Sequence, residues 1–65
     1  MDLSGYADMD PAMLYSILNM RLRDRHADLD DLARFHDIDR LALETHMAGL
    51  GYRYDRQLRQ FRAAG

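Results

Sequence analysis

Leu32-Ala33-Arg34-Phe35-His36-Asp37-Ile38-Asp39-Arg40, continued by Leu43, Met47 and Leu50-Gly51-Tyr52, is the stretch whose reading decides the fold. Ala33 is small enough to let two helices approach closely. Ile38 stands alone between two aspartates, so it plugs inward and pins the angle between the helices. Asp39 is placed to cap a helix over 40–49, on which Leu43, Met47 and Leu50 share one stripe. Gly51 falls where a helix C-terminal glycine belongs. From Tyr52 the period changes: Tyr52, Arg53 and Tyr54 alternate aromatic and charged, as a half-buried strand does. Asp55-Arg56-Gln57 then reads as a turn and Leu58 to Arg62 as a returning strand carrying Phe61.

Working toward the N-terminus, Leu29, Leu32, Ala33 and Phe35 give a helix over 29–36 opened by Asp28 or Asp30. Asp10-Pro11 is a strong helix start, because aspartate accepts from free N–H groups and proline suits the first helical position. The helix it opens, over 11–25, places Met13, Leu14, Ile17, Leu18, Arg21 and Leu22 on a broad face. Residues 1–9 have no clear period and read as a flexible arm, and 63–65 as a loose tail. The expected architecture is α+β: three helices in a helix-turn-helix-like arrangement over 10–62 and a C-terminal two-stranded hairpin. Leu18, Leu22, Leu32, Ile38, Leu43, Met47, Leu50, Tyr52 and Phe61 are its expected core.

Two capped helices followed by an aromatic hairpin are similar to a winged helix, with residues 52–62 as the wing. Two positions depart from that pattern: Asp37 stands where the turn usually has glycine, and His36 where it usually has a core leucine. A second resemblance runs from Asp10 to Phe61, about four-fifths of the chain. Asp10-Pro11 with Met13-Leu14, Asn19-Met20-Arg21-Leu22-Arg23-Asp24, Leu29-Asp30, Asp37-Ile38-Asp39, Gly51-Tyr52-Arg53-Tyr54 and Gln60-Phe61 resemble a family of short bacterial proteins catalogued as domain of unknown function 4250. That resemblance implies a compact, stand-alone domain and carries no activity with it.

Composition narrows the function. The chain has 65 residues, 48% hydrophobic and 31% charged, which is a single folded unit. It contains no cysteine, so disulfides and cysteine-based zinc sites are excluded. His26, His36 and His46 fall ten apart, which is no metal-ligand spacing. No apolar run is long enough to cross a membrane, and residues 1–5 lack the features of a signal peptide, so a cytoplasmic location is expected. No nucleophile with an arranged partner and no glycine-rich phosphate loop is present. Neither catalysis nor a cofactor is therefore expected.

What remains is binding. All nine basic residues are arginine. Residues 1–50 carry a balance of −5 and residues 51–65 one of +3. A nucleic-acid reader would use Arg40 and Thr45 on the outer face of the third helix, with Arg53, Arg56, Arg59 and Arg62 of the wing on phosphates. The acidic remainder and the apolar Leu41 and Ala48 on the same face favour a protein partner or a second copy. Met9, Met13, Leu41, Asn19 and Arg23 are the candidate contact surface. Self-association as a two-fold dimer is expected, because a short chain without disulfide or metal gains stability by covering apolar area.

Overall fold

The computed structural model describes residues 3–64. A 3-10 segment, Leu3–Asp8, leads into α1 (Pro11–Asp24), α2 (Leu29–Phe35) and α3 (Arg40–Gly49). Strands β1 (Tyr52–Asp55) and β2 (Gln60–Ala63) close the chain as an antiparallel hairpin. The architecture is the α+β arrangement that the sequence predicts.

Each helix starts where an aspartate stands. The Asp10 carboxylate accepts from Met13 N–H at 3.1 Å, Asp28 from Asp31 N–H at 2.9 Å and Asp39 from Leu41 N–H at 3.1 Å. Each satisfies an N–H that the first helical turn leaves without an intrahelical acceptor. Gly51 follows α3 at φ 94, the left-handed conformation that ends a helix without a Cβ clash. Asp37 takes the same region at φ 57, so it performs the turn role that glycine more often holds.

The core joins all parts of the chain: Leu3, Leu14, Leu18, Leu22, Leu29, Leu32, Leu43, Met47 and Phe61 form one buried cluster. Ala33 is buried between the helices. Ile38, Leu50 and Tyr52 pack against this core from its edge and remain half-buried. Phe35, expected on an apolar face, is 72% exposed.

Two terminal expectations are corrected. Residues 3–8 of the expected arm form a 3-10 segment, and Leu3 is fully buried. Burial of a leucine is worth about 1.5–3 kcal/mol, enough to hold a short irregular segment in place. Tyr6 adds an edge-on contact with His46 at 5.2 Å. The expected loose tail also pairs: Ala63 belongs to β2, and Ala64 N–H donates to the Gly51 carbonyl at 2.7 Å. Met1, Asp2 and Gly65 lie outside the described residues.

The hairpin turn is displaced from its expected place. Asp55 ends β1 and pairs with Gln60, so the loop is 56–59 and Leu58 sits exposed in it. Asp55 serves both elements, because its side chain accepts from Gln57 N–H at 2.9 Å and Leu58 N–H at 3.1 Å. Arg59 closes the loop at φ 54.

Candidate functional site

A shallow groove of about 340 Å³ runs between the outer face of α3 and β1. Leu41, Glu44, Thr45 and Ala48 line it from the helix, and Tyr52, Arg53 and Tyr54 from the strand. Leu41 is 63% exposed there, a large apolar side chain left in water.

Arg40 and Thr45, the two helix residues expected to read bases, differ in their freedom. Thr45 is exposed on the groove wall. Arg40 is half-buried and held by two acids, its Nε against Asp30 and its Nη1 against Glu44 one turn along the helix. Its charge is thus spent inside the molecule. The hairpin arginines divide in the same way. Arg62 lies 3.6 Å from the Asp55 carboxylate, and Arg59 reaches the Ala27 carbonyl at 3.4 Å. Arg53 and Arg56 are exposed, and neither forms an ion pair among the described residues.

The expected protein-contact residues differ in exposure. Met9 is half-buried against the core, while Met13 on α1 is 51% exposed. Arg23 is exposed and bonded to its neighbour Asp24 through Nε at 2.9 Å. Asn19 is half-buried and acts as an internal clamp. Its Oδ1 accepts from Phe61 N–H at 2.7 Å and its Nδ2 donates to the Phe61 carbonyl at 3.0 Å. Gln60 Nε2 returns a bond to the Asn19 carbonyl at 3.2 Å. The outer edge of β2 is therefore closed at Phe61 by α1.

The same bonds fix the polarity of β1. Phe61 turns its backbone groups toward Asn19, so the Tyr54–Phe61 pair exchanges no ladder bonds, and by alternation neither does Tyr52–Ala63. Tyr52 and Tyr54 must then direct their N–H and C=O groups away from β2, along the outer edge of the sheet. None of these four groups has a hydrogen-bond partner among the described residues. Sequence reading misses this open edge, because the alternation of Tyr52, Arg53 and Tyr54 gives the faces of a strand and not the side on which its neighbour lies.

The tyrosines themselves are held firmly. Tyr52 stacks on Tyr15 with centroids 4.3 Å apart, and Tyr54 packs on Phe61. The Tyr54 hydroxyl accepts from Leu29 N–H at 3.2 Å, which ties the strand to the start of α2. Burial raises the Tyr54 pKa above that of an ordinary phenol.

Two histidines that are ten apart in sequence come together, with the His26 and His36 rings 6.0 Å apart and Phe35 against both. His26 Nδ1 lies 2.9 Å from Asp31, and this hydrogen bond is the main cause that lowers the Asp31 pKa. Among the described residues no group of three His, Asp or Glu side chains is placed to hold a metal. No helix among them is long and apolar enough to cross a membrane.

No curated protein and no solved structure matches this sequence. A family model does match, over residues 8–61, which takes in every helix from α1 onward, the groove and the hairpin as far as Phe61. The chain belongs to the family described as a domain of unknown function (DUF4250).

Proposed function

We propose that this chain is a small non-catalytic module that binds protein through the groove between α3 and β1. The observation that carries the reading is the state of Arg40. Held by Asp30 and Glu44, it leaves the outer face of α3 with Leu41, Thr45 and Ala48 as its available contacts. Neutral and apolar side chains beside an aromatic strand suit a protein surface and oppose a polyanion.

The rival reading is a winged-helix nucleic-acid binder, and one observation favours it: Arg53 and Arg56 are exposed cations without ion-pair partners among the described residues. Even four arginine contacts would give a salt slope of about −3.6 at most, at roughly −0.9 per phosphate. The acidic first 50 residues would reduce it further.

Capture on immobilised wild-type and Leu41→Asp chains from nuclease-treated extract separates the two. A protein retained by the wild type and lost from the variant is the expected result. Tight duplex binding that survives replacement of Arg53, Arg56, Arg59 and Arg62 would overturn the charge argument and put the nucleic-acid reading first.

A further inference from the structure

We propose that the open edge of β1 docks a second copy of this chain, the two β1 strands pairing antiparallel about a two-fold axis at Tyr54 into a four-stranded sheet. The proposal rests on the protein-binding reading and names the partner for that groove.

The two edges of the hairpin differ. β2 is closed at its centre, where Asn19 of the same chain holds both backbone groups of Phe61. β1 presents the unpaired backbone groups of Tyr52 and Tyr54. An edge of unpaired donors and acceptors is a template for another strand unless proline, a bulge or repelling charges defend it. β1 has no proline and no bulge, its register with β2 is continuous, and its two charged residues, Arg53 and Asp55, are of opposite sign.

Charge selects the occupant. Only Tyr52 and Tyr54 turn their backbone groups outward from β1, which leaves three symmetric or near-symmetric registers. Tyr52 opposite the partner's Tyr52 sets Arg53 against the partner's Gly51 and Asp55 against the partner's Gly49, so neither charge of β1 gains an opposite-sign partner. Tyr52 opposite the partner's Tyr54 sets Arg53 directly against the partner's Arg53, a repulsive cross-strand pair. Tyr54 opposite the partner's Tyr54 sets Arg53 against the partner's Asp55, and Asp55 against the partner's Arg53. That register converts both charged positions of β1 into opposite-sign pairs on one face. It also relieves a conflict inside the hairpin, where Arg53 faces Arg62 directly across the ladder while Asp55 is turned to Arg62. Leu41, exposed on the groove wall beside β1, lies where an added strand would cover it.

Sedimentation across a concentration series, with amide hydrogen exchange on the same samples, tests the proposal. The wild type should associate as concentration rises, with the Tyr54 amide gaining protection in step. Arg53→Glu should weaken association by about tenfold or more, since both opposite-sign pairs become repulsive, and should leave the circular dichroism unchanged. Arg53→Lys should retain it. A wild-type chain that stays monomeric at every accessible concentration overturns the proposal and leaves the protein-binding reading to the capture experiment. A dimer with freely exchanging Tyr54 amide, or one indifferent to Arg53→Glu, would place self-association on another face and overturn it equally.

Discussion

The carboxamide of Asn19 meets β2 as a neighbouring strand would, accepting from Phe61 N–H and donating to its carbonyl. A helix residue thereby satisfies two backbone groups of a strand 42 positions later. Asn19→Ala should cost about 1–3 kcal/mol, because both groups lose their partner where water enters poorly. Asn19→Asp should be at least as damaging at neutral pH, since a carboxylate would face the Phe61 carbonyl, and should recover partly once acid protonates it. Urea midpoints at pH 7 and pH 3 check both statements. The clamp is illegible in sequence: an asparagine late in a helix reads as surface, and no spacing reveals what it faces. Asp37 was more legible, because its place in the helix-turn-helix pattern marks a glycine position. At φ 57 an aspartate still carries a steric cost that glycine avoids. Asp37→Gly should therefore raise stability by up to about 1 kcal/mol, and Asp37→Val should lower it, both measured as shifts in melting temperature.

Among the elements, the three helices announce themselves through Asp10-Pro11, Asp28 and Asp39 at their starts and Gly51 after the last. The hairpin is legible as an alternation that begins at Tyr52, but its turn is not, because Asp55 is strand residue and turn cap at once. That double role makes the hairpin sensitive to acid. The N–H groups of Leu58 and Gln57 lower the Asp55 pKa below the ordinary carboxylate value. A depressed carboxylate contributes stability that is fully present above its unfolded pKa of about 3.9 and is lost as pH falls through the folded value. The loop amides of Gln57 and Leu58 should thus lose exchange protection as pH falls below about 4. Asp55→Asn keeps an acceptor without the titration and should flatten that profile. Tyr54 acts in the opposite direction: burial raises its pKa, so its contribution is present below pH 10 or so and is lost on further alkalinisation.

At the scale of the whole molecule, one core spans from Leu3 to Phe61. Leu3→Ala and Leu43→Ala should each cost about 2–5 kcal/mol, a large part of what a domain this small possesses. A frayed N-terminus would predict no effect at Leu3, so the pair of melting temperatures distinguishes a built-in segment from an arm. Leu43 is readable from its stripe on α3. Leu3 is not, because a single leucine among serine, glycine and aspartate has no period and only the finished core supplies its slot. The clamp between α1 and β2 also has a consequence for synthesis. A chain emerging from the ribosome exposes Leu14, Leu18 and Leu22 long before Phe61 arrives to cover them, and Asn19 has no strand to hold until then. Closure of the core must wait for the last strand to leave the exit tunnel, so the nascent helix spends its early life with an apolar face uncovered. A chaperone that shields such faces would meet this protein before Phe61 has left the tunnel.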